Sequence, residues 1–184
     1  MSPSAGGTLP RVVCFIDGSN FHGHLKTKFG NGRVRFPQIC QRVVGMHRKL
    51  EAWRYYAAPL PQGTTQAHKA NYAGQRAFFA SLQNSGGVVR LARFQKDASG
   101  TIREKGVDVL IAVDLVRLAA ENKYDVAILF SGDADLVPAI ETVQEVYHKE
   151  VEVALPDVQA YHVRSKANRF IEINERLFRI VEIK

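Results

Sequence analysis

Tyr124-Asp-Val-Ala-Ile-Leu-Phe130 runs directly into Ser131-Gly-Asp-Ala-Asp135. The unbroken apolar residues from Val126 to Phe130 predict a strand buried on both faces. The five residues after it are small or acidic, so the chain leaves the strand through a polar turn. Leu136 to Lys149 then reads as a helix, with Pro138 tolerated in its first turn. A fully buried strand followed at once by a helix is the repeating unit of a parallel sheet.

The same unit recurs on both sides. Arg11-Val-Val-Cys-Phe-Ile16 is a short buried strand, and Asp17-Gly18 reads as its exit turn. Beyond Pro37, the residues Ile39, Val43, Met46 and Leu50 recur at helical spacing and predict one apolar helix face. Glu51 to Ala58 reads as a second strand, ended by Pro59, Pro61 and Gly63. A helix is predicted over 66–83, stopped by Asn84-Ser-Gly-Gly87. Val88 to Phe94 reads as a third strand, followed by a polar loop, Asp97-Ala-Ser-Gly100. Val107 to Ala120 is a helix with Val107, Leu110, Ile111, Leu115 and Leu118 on its apolar face. Val151 to Leu155 is a fifth strand, and the remainder holds a short helix and a last apolar piece, Phe170 to Ile173. Alternating strands and helices with continuously apolar central strands predict an α/β fold: one parallel sheet covered on both faces. Residues 1–10 read as a flexible tail, and 11–184 as one domain without internal repeats.

A chain of 184 residues with 46% hydrophobic content suffices for one good core. No apolar stretch is long enough to span a membrane, and the N-terminus lacks a secretory pattern, so the expected location is the cytoplasm. Cys14 and Cys40 lie far apart in apolar surroundings and read as reduced core thiols. The net charge of +7 points to a polyanionic partner such as nucleic acid.

In open parallel sheets, ligands sit beyond the carboxyl ends of the strands, where strand order reverses. Asp17 lies past the end of the first strand, and Asp133 and Asp135 lie past the end of the fourth. Asp108, in the first turn of its helix, could join them from the side. Two like charges 4 Å apart at an effective dielectric of 20 cost about 4 kcal/mol, so such a cluster requires protons or cations. Oxygen-only ligands favour Mg²⁺ or Mn²⁺ over zinc. An acidic metal pocket in a basic protein is the arrangement expected for cutting nucleic acid. Each acid also has a structural reading: a turn at Asp17, a first-turn acid at Asp108, and a helix cap at Asp135. Ser131 also has a turn or cap reading. Asp114 is six residues beyond Asp108, about 120° around the helix, and reads as a structural or supporting residue.

Asp17-Gly-Ser-Asn20, Lys105-Gly-Val-Asp108 with Asp114, and Ser131-Gly-Asp-Ala-Asp135, in this order and spacing, resemble the NYN domain, in particular its LabA-like branch. NYN domains belong to the PIN-like nuclease superfamily, and the resemblance spans roughly residues 11–181. It implies a Rossmann-like parallel sheet of order 3-2-1-4-5 and metal-dependent hydrolysis of RNA. It further implies that Asp17, Asp108 and Asp133 are metal ligands, with Asp135 a fourth. Asn20 would be a positioning residue beside Asp17. Ser131 would orient a carboxylate or a metal-bound water, and Lys105 would assist the departing oxygen or screen the cluster. Related folds often pair, which leaves a homodimer open.

Lys26, Lys28, Arg33 and Arg35 flank Gly30-Asn-Gly32, with Phe29 and Phe36 at the edges. This reads as a flexible basic loop overhanging the site and suited to single-stranded RNA. Its plainer reading is a solvated loop with two core phenylalanines. Trp53, Tyr55 and Tyr56 read as strand packing. The main rival to a nuclease is a non-catalytic RNA-binding or regulatory module with the same fold. An aspartate-nucleophile phosphatase usually needs a second acid two residues after the first, and Ser19 stands there.

Overall fold

Continuous apolar sequence buries both faces of a strand, and β1 (Arg11–Asp17) is buried from Val12 onward. β6 (Val126–Phe130) is buried at every position. The computed structural model describes residues 8–60, 65–96, 102–156 and 160–184, with backbone alone at 94–96 and 102–105. β1 and β6 lie side by side and parallel, Val12 opposite Val126 and Ile16 opposite Phe130. β2 (Lys49–Ala57) flanks β1 on its other side, with β3 (Val88–Leu91) outside it. β7 (Glu150–Leu155) follows β6, and β8 (Arg169–Glu172) forms the far edge. All five pairings are parallel, and the order is β3-β2-β1-β6-β7-β8. Numbering only these strands gives 3-2-1-4-5-6. The implied 3-2-1-4-5 sheet is present with one further strand, formed by the last apolar piece. Strand order reverses between β1 and β6, so their carboxyl ends meet at the switch point.

Side chains alternate across the sheet, and β2 makes the two faces visible. Trp53 and Tyr55 meet Phe36 of α2 (Phe36–Val44), and Tyr55 also meets Phe78 and Phe79 of α3 (Gln66–Asn84). Arg54 and Tyr56 point the other way, to Asp114 of α4 (Val107–Ala120). Phe15 follows Tyr56 on that face and packs edge-on to Tyr124, whose hydroxyl donates to the Leu115 carbonyl at 2.7 Å. Burial pushes the Tyr124 phenol far above its ordinary range. α5 (Val137–Tyr147) packs beside α4 after one 3-10 turn, Ala134–Leu136. Each fully buried aromatic or aliphatic side chain is worth about 1.5–3 kcal/mol.

Several elements differ from the sequence reading. Asp17-Gly18 is not a free turn, because α1 (Gly18–Phe29) starts at once. Asp17 Oδ1 caps it by accepting the Asn20 N–H at 3.1 Å. Phe21 and Leu25 are buried, and Phe29 stacks on Phe178 at 4.3 Å. The helix ends at Gly30, whose φ of 73° suits a left-handed cap. Met46 and Leu50 do not extend the face of α2. That helix stops at Gly45 (φ 76°), Met46 is 89% exposed, and Leu50 belongs to β2. The third strand does not run to Phe94. β3 ends at Leu91, and β4 (Arg93–Lys96) pairs antiparallel with β5 (Ile102–Lys105) in a separate hairpin. The loop expected at Asp97–Gly100 and most of the expected N-terminal tail lie outside the described residues. After β7 come α6 (Tyr161–Lys166) and, past β8, α7 (Glu175–Val181), which had no strong periodic signal.

Cys14 and Cys40 are free and buried, and burial drives the Cys40 thiol well above its usual range. Among the described residues no helix is long and apolar enough to cross a membrane.

Candidate active site

The switch point brings together three segments distant in sequence. β1 ends in Asp17, which is 6% exposed. β6 ends in Phe130, and the buried Ser131 follows it. The Ser131 hydroxyl donates to Asp17 Oδ2 at 3.2 Å and accepts the Asp133 N–H at 3.2 Å. One side chain therefore fixes the carboxylate at the end of β1 against the turn after β6. Asn20 adds a second tie, its Oδ1 accepting the Gly132 N–H at 2.9 Å. A Cβ at Gly132 would stand 2.9 Å from His24 Nε2 and 3.0 Å from Ala160 Cβ, so a side chain there would push these neighbours aside.

Asp108 arrives from a third direction, in the first turn of α4. It lines one open cavity of about 490 Å³ together with Asp17, Ser19, Asn20, Gly106, Val107 and Asp133. Two helix N-termini, those of α1 and α4, border this cavity. Their positive dipole ends offset part of the repulsion among the three carboxylates. The cavity is open to water, which screens the remainder. Among the described residues, no group of three or more His, Cys, Asp or Glu side chains stands ready to hold a metal ion.

Not every expected site residue joins the cavity. Asp135 is exposed and does not line it, and it is not a helix cap either. The cap is Asp133, whose Oδ1 accepts the Asp135 N–H at 3.0 Å. Lys105 ends β5, and its side chain lies outside the described residues. The basic segment is not a flexible loop. Lys26 and Lys28 sit in the last turn of α1, roughly 13–17 Å along the helix from Asp17. Residues 31–35 are pinned to the C-terminal segment. The Asn31 side chain donates to the Ile183 carbonyl, the Ile183 N–H to the Arg33 carbonyl, and the Arg35 N–H to the Val181 carbonyl. Arg35 also donates to Gln38 and to the Ile180 carbonyl. Phe36 is core, 8% exposed. Arg33 lines the aromatic cavity beside α1, and none of the four basic residues lines the carboxylate cavity.

A family model described as the NYN domain matches residues 11–174, most of the chain. The chain belongs to the NYN domain family. It is 26% identical over 174 residues to low amplitude and bright protein LabA of Synechococcus elongatus, covering 90% of this chain and 84% of that protein. In fold it is similar to a crystal structure of a protein of unknown function from Vibrio parahaemolyticus. There the TM-score is 0.71 at 22% identity, over 94% of this chain and 98% of the other. The NYN domain thus has the six-stranded parallel sheet described above, with the carboxylates of Asp17, Asp108 and Asp133 at its switch point.

Asp114 of this NYN domain turns away from the cavity, as its spacing from Asp108 requires. It is 1% exposed and accepts from the Tyr56 hydroxyl at 3.0 Å. Arg54 and Arg117 approach it at 3.2 Å and Arg90 at 3.3 Å. Burial, followed by the Asp114 charge, holds the Tyr56 phenol far above its ordinary range. Arg54 Nε is buried without a hydrogen-bond partner. The sequence reading missed Ser19 and the helix that carries it. A signal was available, because Phe21, Leu25 and Phe29 recur every four residues between Asp17 and Gly30.

Proposed function

We propose that this NYN domain is a divalent-metal-dependent ribonuclease that hydrolyses phosphodiester bonds of RNA. One observation supports the reading above others: Asp17, Asp108 and Asp133, from three separate elements, line one cavity at the carboxyl edge of the sheet. Family membership agrees with it, since NYN domains belong to the PIN-like nuclease superfamily.

The donor set suits Mg²⁺ or Mn²⁺, being all oxygen. Asp17, Asp108 and Asp133 would hold the ion. Mg²⁺ commonly takes one or two carboxylates and completes its shell with water and substrate phosphate, so it does not require a closed set of three. Bound there, the ion supplies Lewis acidity, making water a better nucleophile at neutral pH and steadying charge on the departing oxygen. The chain's own residues do the rest. Ser131 holds Asp17 Oδ2 in one direction, and Asn20 ties the loop after β6 to α1. The helix N-termini favour a phosphate at the cavity mouth. Two reduced thiols in the core suit a reducing compartment such as the cytoplasm.

A second reading draws on the same openness of the cluster: an RNA-binding module that keeps the fold without cutting. Incubation of a labelled single-stranded RNA with Mn²⁺, with Mg²⁺ and with EDTA separates the two. Cleavage confined to the metal lanes supports the nuclease; tight binding with no cleavage in any lane supports the module.

A further inference from the structure

A second cavity, of about 680 Å³, lies against the other side of the α1 N-terminus. Ser19 lines both cavities. Asp17 and Asn20 face the carboxylate cavity, while Gly18 and His22 face this one, so the two are less than about two helical turns apart. Its wall is aromatic. Phe36 and Tyr55 are largely buried, whereas Phe78 is 38% exposed. Glycine makes this wall possible, because a Cβ at Gly18 would collide with the Tyr55 hydroxyl and one at Gly32 with the His22 ring.

The polar groups of this cavity are oriented in advance. Gln75 accepts from the Leu60 N–H and donates to the Ala58 carbonyl at 3.2 Å. An amide has two donors and two acceptor sites, so Gln75 keeps one of each for a ligand. His22 Nδ1 lies 3.1 Å from the Gly32 carbonyl and donates to it, which fixes the ring. Arg33 adds a cation at the rim. Aromatic walls with a few fixed polar groups are what a flat heteroaromatic ring requires.

We propose that this cavity receives one unstacked nucleobase of the strand whose phosphate occupies the carboxylate cavity. The proposal rests on the nuclease reading for its register, and it adds a base-binding subsite. A base inserted here is unpaired, so the preferred substrate is single-stranded RNA with a base preference next to the cut. Arg33 then holds a phosphate flanking that base.

The test separates base insertion from cleavage. Single-stranded RNAs carrying one 2-aminopurine at successive positions are titrated with wild type and with Phe78→Ala in EDTA, where no metal chemistry runs. Phe78 is partly exposed, so the variant is expected to fold, and circular dichroism verifies this. Phe78→Tyr serves as the rescue. Wild type should alter the fluorescence sharply at one position. Phe78→Ala should lose that response and bind about 5–150-fold more weakly, the range for losing one base–aromatic stack. Phe78→Tyr should restore both, and a fully paired RNA should compete poorly. Equal binding and an equal fluorescence response in Phe78→Ala would overturn the proposal, as would equal competition by duplex. Dimerisation abolished by Phe78→Ala, with no base response, would assign the cavity to a second copy of the chain and also overturn it. A positional response with no cleavage in metal would leave the base site standing and remove the nuclease reading. Cleavage with the same rate and product pattern in Phe78→Ala would do the reverse.

Discussion

Asp114→Ala removes one carboxylate and strands four donors. The Tyr56 hydroxyl is fully buried and loses its acceptor at 3.0 Å. An unmet buried hydroxyl costs about 1–3 kcal/mol. Arg54, 17% exposed in its side chain, loses its counter-charge while its Nε is already unpartnered. Breaking a buried ion pair costs about 3–5 kcal/mol. Arg90 and Arg117 are 44% exposed, so water recovers them and they add little. The first two penalties share one site and do not add in full, which leaves about 3–5 kcal/mol in total. For a chain of this size each kcal/mol moves the melting point by about 2–4 °C, so the expected loss is about 6–20 °C. Thermal unfolding followed by circular dichroism measures it, and urea titration checks that the m-value is unchanged. Asp114→Asn should fall between wild type and Asp114→Ala, because it keeps an acceptor for Tyr56. If Asp114→Ala melts within about 3 °C of wild type, on the same size scaling, the cluster is solvated and its packing role is refuted.

Mg²⁺ or Mn²⁺ should raise the melting point of wild type. At a hundredfold excess over Kd the gain is about 2.7 kcal/mol, and Asp17→Asn should show much less, as differential scanning fluorimetry would record. Arg33→Ala should weaken RNA binding and flatten its salt dependence by up to about 0.7 in slope, more than Lys26→Ala or Lys28→Ala does; anisotropy titrations at several salt concentrations would test this. The guanidinium of Arg11, 2.8 Å away, holds the Asp125 carboxyl well below its usual range. A depressed folded-state pKa contributes stability that is present above the unfolded value of about 4 and is lost as pH falls below it. Melting curves between pH 2 and 7 should therefore show a steeper acid loss in wild type than in Asp125→Asn.

The sheet was legible because burial on both faces writes itself as unbroken apolar runs, as in Val126–Phe130 and Val12–Ile16. The carboxylates were legible because strand ends at a switch point collect ligands. What escaped depends on partners distant in sequence. α1 carries few apolar residues and looked like a loop, since its basic and glycine residues outweighed Phe21, Leu25 and Phe29. Met46 fitted a helical period that Gly45 had already ended. The Val88–Phe94 run looked continuous, yet Ala92 leaves the parallel sheet for a hairpin while its N–H still bonds to the Ala57 carbonyl. The cap was expected at Asp135, and only the fold shows that Asp133 is the cavity-lining cap and Asp135 the exposed acid. The aromatic cavity needed residues from α1, β2 and α3, with no local signature.

The most direct test compares wild type with Asp17→Asn on a labelled single-stranded RNA, each in Mn²⁺, in Mg²⁺ and in EDTA, with melting curves to show that both are folded. Wild type should cleave only with metal, and Asp17→Asn should be folded and inactive. Metal-dependent cleavage by folded Asp17→Asn at the wild-type rate would contradict the assignment of the site.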